Sequence, residues 1–560
     1  MNSSLINNLL NKTKWQIIFL ASVIFLLYVR SLSFEFIGLD EESLLVNKKA
    51  FNKELSNIPK AFSQHVFQTE GYVGSPGSLK FYRPLLTVSF IIDSQFAGEK
   101  FTFFHFTNIL IHCFTVIGLL FVLLQMKVPP PLSFFLSLFF AAHPLLSQAI
   151  AWIPGRNDSL VCMFVLWSFY FLIKMDASTD KHFRFRPIFL FLHILFFAFA
   201  LFTKENAVMF FFICLFFVLL IKRKDYSIRD KIILLISYAA IITIWYVVKK
   251  NAVGELRIDS LSALYYSFLR NFPLVLQYFQ KTIIPVNLAV MASVDDTNYG
   301  WVLLSLTLMG AAVYFTKKIP GKEILFGLVW FFLFLLPTLL FSYFEGMEHR
   351  SYLPVIGLLI AFSYTDSVRN LFLNKKMFLG ISGAIIITFS LITLLRLNTF
   401  KSEFNYWKNA FETSEHSAVV CRDYGVILTK MGDYSNAEKA YLEGIRRNPK
   451  ETLLHYNLGV MYYRMQRYED ATRELAKELE INSTNYLIYH VMGVIYKQEM
   501  RMDEAVMMWE QAVSMNPDFT DSYKELLSYY SQRKDTANFT RCRDALVKNG
   551  YKIIDKRISH

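Results

Sequence analysis

Charge is scarce in this chain. Asp, Glu, Lys and Arg make up only 18% of its 560 residues, against about a quarter in soluble domains. Cysteine is scarcer still. Cys113, Cys162, Cys214, Cys421 and Cys542 form no C-x-x-C pair, and the first three lie in apolar runs, so they read as packing thiols and a disulfide scaffold is excluded. The nucleotide-binding patterns, a Walker sequence and G-x-G-x-x-G, are missing, as are the hydrolase patterns G-x-S-x-G and H-E-x-x-H. Apolar residues are abundant instead, at 54%, with 55 phenylalanines; so hydrophobic a chain is not disordered. The net charge of +13 sits in short turns between apolar segments, the pattern of a membrane protein and not of a nucleic-acid binder.

A helix needs about 20 apolar residues to span a bilayer core. Such runs centre on Ile24, Gly118, Leu138, Leu166, Leu195, Ile213, Ile241, Met309, Leu333, Leu358 and Ile387. The expected fold is all-α, with a bundle of about eleven crossings over residues 1–397. The run from Trp15 to Leu32 lacks a small-residue cleavage site and reads as a retained signal anchor. The basic turns Lys174–Arg186, Lys222–Lys231 and Arg369–Lys376 are placed in the cytoplasm. The turn holding Lys317, Lys318 and Lys322 joins them if Leu264–Ile284, interrupted by Arg270, Asn271, Pro273 and Lys281, is re-entrant or interfacial. The amino terminus is then inside and the carboxyl terminus outside. The outward segments are 35–104, 143–157, 203–206, 251–299 and 343–350.

After a linker helix (398–417), residues 418–560 form a repeat array. Gly425, Gly459 and Gly493 recur every 34 residues, and Ala437, Ala471 and Ala505 follow each glycine by twelve. That period of small and aromatic residues is the tetratricopeptide signature. The units are 418–451, 452–485 and 486–519, with capping helices at 520–548. The groove of such an array suits a peptide or protein partner; a spacer or dimer surface is the plainer alternative.

The polar residues worth explaining cluster outside. Asp40-Glu41-Glu42 can supply a general base, a metal ligand or a simple helix cap. Neighbours on a helix point about 100° apart, so Asp40 and Glu41 are not expected to share one task. Arg83 lies in Tyr82-Arg83-Pro84-Leu85, and His105, Asn108 and His112 follow on one helix face. The two histidines stand about 10 Å apart along the axis, too far to chelate one metal, and His112 is expected to pair inside the bundle. Next come Arg156, Asn157 and Asp158, where capping competes with function, and Lys204-Glu205, squeezed between apolar runs, where an ion pair competes. The segment from Glu345 to Pro354 carries His349 and Arg350, and Arg350 can hold a phosphate or snorkel to headgroups.

Taken in order, these segments resemble one family. The early acidic pair, Tyr-Arg-Pro-Leu with its His-x-x-Asn-x-x-x-His helix, AHPLLSQAIAWIPGRNDSL, FTKENAV, EHRSYLP and the terminal array are similar to the transmembrane and tetratricopeptide-repeat O-mannosyltransferases and their bacterial relatives. Gln148 stands where that family commonly has glutamate, Gly38-Leu39 where an aromatic is usual, and the array is short. The resemblance implies a GT-C glycosyltransferase moving a mannose-like hexose, with inversion, from a polyprenyl-phosphate carrier to a protein Ser or Thr hydroxyl at the extracytoplasmic face. Asp40, or failing it Glu41, would be the base. Arg350, with Lys204 or Arg83, would hold phosphate, and Asp158, Glu205, Arg156, His105 and His349 would line the donor site. No cofactor or metal is implied, although the acids can host a divalent cation. A catalytically silent scaffold and a lipid-linked oligosaccharide ligase or polymerase are the competing readings. The short array and the abundance of Lys, Asn, Ile and Phe favour a bacterial inner membrane.

Overall fold

The computed structural model describes residues 12–68, 80–98, 100–175, 187–222, 226–254, 260–314, 321–340, 346–365, 368 and 375–550. Among them the secondary structure is helical, and the β-type pairing is an isolated bridge between Ala292 and Gly346. The chain divides into two compact units, Met1–Glu415 and His416–His560.

The first unit is a multi-pass membrane bundle. Among the described residues six helices are long and apolar enough to cross a bilayer: Thr13–Ser33, Thr102–Gln125, Ile153–Met175, Ile228–Val253, Gly321–Leu339 and Lys376–Phe400. A pair bent by 50°, Pro130–Ala142 and Pro144–Ala151, passes the same test when its two helices are taken together, as a broken span or a re-entrant loop does. The bend falls at His143-Pro144, because proline removes a backbone donor and cannot continue a helix without a break. Pro187–Thr203, Glu205–Ile221, Tyr299–Tyr314 and Pro354–Ser363 are shorter apolar helices. Each apolar run centre named above lies on one of these elements. The first outward segment contributes a further apolar helix, Pro84–Ser94, which the sequence analysis did not anticipate.

Leu264–Ile284 is two 11-residue helices, Leu261–Asn271 and Pro273–Ile283, parted at Phe272-Pro273. Gln277, Gln280 and Lys281 are buried on the second, and Gln277 and Lys281 bond to residues outside it. This helix is therefore bound to protein along its polar side. Most of the basic turns used for topology, at 176–186, 223–225, 315–320 and 369–374, lie outside the described residues, as does Glu345. Residues 398–413, expected to be a linker, pack into the first unit. Leu397, Phe400, Tyr406 and Trp407 are buried there, and the Tyr406 hydroxyl accepts from Gln148 Nε2 at 3.4 Å.

The second unit is four helix pairs: Ala418–Met431 with Tyr434–Arg447, Leu454–Arg464 with Tyr468–Ile481, Tyr486–Gln498 with Met502–Met515, and Thr520–Arg533 with Thr536–Lys548. The 34-residue glycines explain the pairing. A Cβ on Gly493 would lie 2.5 Å from Trp509 Nε1, and one on Gly425 would lie 2.5 Å from Tyr441 Cε1. Only a bare Cα lets each aromatic of the second helix close onto the first.

Candidate active site

Residues of the segments 35–104, 143–157, 203–206 and 343–350, with Asp158, are linked to one another near the helix ends. A tight turn starts the site: Gly38 and Leu39 both have positive φ, +83° and +53°, a conformation that glycine adopts without penalty. The turn reverses the chain after Ile37 and sends Asp40 and Glu41 in different directions. Glu41 is fully buried, and its Oε2 accepts from the Ile37 N–H at 2.8 Å. Burial nevertheless pushes its pKa up to about 8, and the neighbouring Asp40 charge adds to the rise. Glu41 thus fastens the turn through the Ile37 N–H.

Asp40 is half-buried and faces cations. Burial raises its pKa, while the Arg83 and Arg350 guanidinium groups pull it back down. A carboxylate raised by desolvation but held near two fixed positive charges is a stronger base than a solvated one, yet still ionises.

Each cation has its own mounting. Arg83 lies 3.4 Å from Glu205 Oε2, stacks over Phe81, and donates to the Asn157 amide oxygen at 2.8 Å. Glu205 Oε1 accepts from the Tyr82 N–H at 2.9 Å, so one carboxylate fixes both backbone and side chain of the Tyr-Arg pair. Lys204 Nζ lies 2.7 Å from both oxygens of Asp158. His349 Nε2 stands 3.7 Å from Asp158, and burial drives its pKa down to about 3, so the ring is neutral at physiological pH. Arg350 interacts electrostatically with Tyr278, Asp158, Arg83 and Asp40; burial lowers its pKa to about 10, which leaves it charged.

The turn carrying Arg350 is clamped residue by residue. The Gly346 N–H donates to Ala292 O at 2.6 Å, and the Tyr278 hydroxyl donates to Met347 O at 3.0 Å. The His349 N–H donates to Gln148 Oε1 at 3.1 Å. Glu348 is fully buried, accepting from Lys281 Nζ at 2.9 Å, from the Ala289 N–H at 2.8 Å and from Arg396. Sequence reasoning assigned no role to Glu348, Lys281 or Arg396. Their signal was present: Lys281 interrupts an apolar helix and Arg396 ends one.

Two candidates fall elsewhere. Arg156, expected at the donor, is wholly buried in packing. It reaches Asp93 at 2.6 Å, Asn108 Oδ1 at 2.6 Å, Ser89 Oγ at 3.0 Å and Phe104 O at 2.7 Å, with Phe90 beneath its plane. A guanidinium so engaged is a brace between helices and does not serve as a phosphate ligand. His105 is also fully buried, edge-on to Phe34, and neither ring nitrogen bonds to a described residue. His112 pairs with Tyr352 and Ala141 across the bundle, as expected. Among the described residues, no three His, Cys, Asp or Glu side chains gather closely enough to hold a metal ion.

The arrangement brings the Asp40 carboxylate within electrostatic reach of two guanidinium groups, with the Lys204 ammonium paired to Asp158. That set suits attack by a hydroxyl at a centre whose leaving group is a phosphate.

A tetratricopeptide repeat model matches 423–451 and 486–519. Protein O-mannosyl-transferase TMTC1 of Mus musculus is 29% identical over 204 residues, 35% of this chain and 21% of its own. Two longer matches are protein O-mannosyl-transferase F38B6.6 of Caenorhabditis elegans, 23% identical over 77% of this chain and 63% of its own, and TMTC3 of Mus musculus, 22% identical over 79% and 52%. Over most of its length the chain is thus similar to protein O-mannosyl-transferases. It spans between about a fifth and just under two thirds of the length of these O-mannosyltransferases.

Proposed function

We propose that this chain is a membrane glycosyltransferase that moves a mannose-like hexose from a polyprenyl-phosphate carrier to a protein Ser or Thr hydroxyl, with inversion, at the extracytoplasmic face. The observation that carries the reading is that Asp40 lies within electrostatic reach of both Arg83 and Arg350. The acceptor oxygen attacks the anomeric carbon and gives its proton to Asp40. The bond from that carbon to the phosphate oxygen breaks, and its electron pair leaves with the lipid phosphate. Arg350 and Arg83 stabilise the charge that grows on this phosphate, while Asp158 holds Lys204 in reach. Direct attack from the face opposite the leaving group inverts the anomeric centre. The O-mannosyl-transferase names of the relatives support the sugar and the protein acceptor.

The repeats supply an acceptor-binding groove in this reading, and they lie outside the cytoplasm, on the same side as Asp40, of a bacterial inner membrane. The last membrane helix supports that side, since Arg396 near its end bonds to Glu348 beside the site. The test uses purified full-length protein in bilayer discs with labelled polyprenyl-phosphate hexose and a panel of Ser/Thr peptides. Transfer to peptide is expected. Transfer to glycan alone would make the protein a ligase, and neither transfer nor donor hydrolysis with any carrier would leave it a scaffold.

A further inference from the structure

We infer that Lys249, a residue of the helix Ile228–Val253, is a direct ligand of the donor phosphate. The inference rests on the glycosyl-transfer reading of the site. Lys249 lies four residues before the end of its helix and is only 5% exposed. A lysine within a membrane helix is costly unless paired or functional. Its ammonium has no hydrogen bond and no ion pair to a described residue; it rests 4.9 Å from the centre of the Trp245 ring. It is within electrostatic reach of Glu205 and Arg83, which are already joined to each other. Lys249 is therefore within electrostatic reach of the Arg83 mounting with all its N–H donors unspent, whereas Asp158 takes two of the three donors of Lys204.

The charge count agrees. Among the described residues, with Lys249 included, the linked cations are Arg83, Lys204, Lys249 and Arg350, and the carboxylates are Asp40, Asp158 and Glu205. The excess is one positive charge, which matches the single negative charge of a lipid phosphodiester. When Asp40 takes the acceptor proton the excess becomes two, matching the dianionic phosphate that departs. Without Lys249 the site would be neutral before reaction. Trp245 holds the ammonium by a cation–π contact that leaves all three N–H groups available for oxygen.

Full-length Lys249→Met, Lys249→Gln and Lys249→Arg in bilayer discs test this. The readouts are KM for polyprenyl-phosphate hexose and inhibition by polyprenyl monophosphate, with neutral polyprenol as the control. A hydrogen bond to a charged group corresponds to about 10- to 100-fold in affinity. Met and Gln should raise the donor KM and the monophosphate inhibition constant by that factor, with polyprenol unchanged and Arg close to wild type. Constants unchanged in Met and Gln, while the wild type transfers, would overturn the assignment. So would recovery of folded protein only for Arg, which would make Lys249 structural. A wild type that binds polyprenyl monophosphate through Lys249 but transfers to nothing would sink the transfer reading and leave the phosphate site standing. A wild type that does neither overturns both.

Discussion

Lys281 and Glu348, 67 residues apart in sequence, meet in a 2.9 Å ion pair sealed from solvent. Arg396 closes on the same carboxylate from the last membrane helix. Removing one partner of a buried ion pair leaves charge uncompensated, typically at a cost of about 3–5 kcal/mol. Glu348→Ala leaves two cations together and should lower the thermal unfolding midpoint of the solubilised protein sharply. Because Arg350 rides on the same turn, donor affinity should fall with it. A midpoint within a degree or so of wild type would mean that the clamp does not hold the turn.

Asp40→Asn keeps the shape and removes the base. Transfer should fall by about 10²–10⁴-fold, while binding of the lipid-phosphate sugar persists. Glu41→Asn, by contrast, should cost stability, since Glu41 fastens the turn to the Ile37 N–H. Transfer rate and unfolding temperature, measured for both variants, separate the roles. Near-normal transfer by Asp40→Asn would move the base to Glu41.

Arg350→Ala should weaken donor binding as well as turnover, because it removes a forked, charged contact to phosphate. Donor affinity is the decisive readout, by competition with a labelled lipid phosphate. No change would pass the role to Arg83 and Lys204.

Stability should also depend on pH through Glu41. Its carboxyl has an ordinary pKa of 4.5 and one near 8 in the fold. Between those values the folded chain binds more protons than the unfolded one, so this contribution to stability is present below about pH 4.5 and lost as pH rises toward 8. Glu41→Gln, permanently neutral, should flatten that part of the slope. Unfolding temperature against pH, compared between the two proteins, gives the answer; parallel curves would exclude Glu41 as the source.

In the repeat array, Gly493→Val should overpack the seam. The new Cβ would meet the Trp509 ring nitrogen at 2.5 Å, and forced repacking of this kind costs about 1–3 kcal/mol. Faster proteolysis of residues 486–519 in the full chain is the expected result. Wild-type resistance would show that Trp509 yields freely.

The membrane helices and the repeat were legible because each is written in a period, about 20 apolar residues in one case and 34 residues in the other. The site was legible as a set of outward polar residues but not as an assignment of duties. Arg156 and Arg350 look alike in sequence, both at helix mouths, yet Asp93, Asn108 and Ser89 consume the first. Asp93 is what decides this, and it lies on Pro84–Ser94, a helix too short to stand out in an apolar scan. Lys249 was overlooked for a related reason. It sits at the end of a long apolar run, where lysine usually reads as a boundary marker, and only its neighbours Trp245, Glu205 and Arg83 give it another meaning.

The Arg156 brace has a consequence for how the protein is made. Asn108 leaves the ribosome 48 residues before the arginine that satisfies it, and Asp93 leaves earlier still. Until Arg156 arrives, a carboxyl and an amide wait at the membrane without their partner, at a cost that lipid does not relieve. Pro84–Ser94, Thr102–Gln125 and Ile153–Met175 can therefore close on one another only once Arg156 has been made. A substitution at Arg156 is expected to lower the yield of folded protein before it touches catalysis, measured as the amount of full-length chain recovered from membranes.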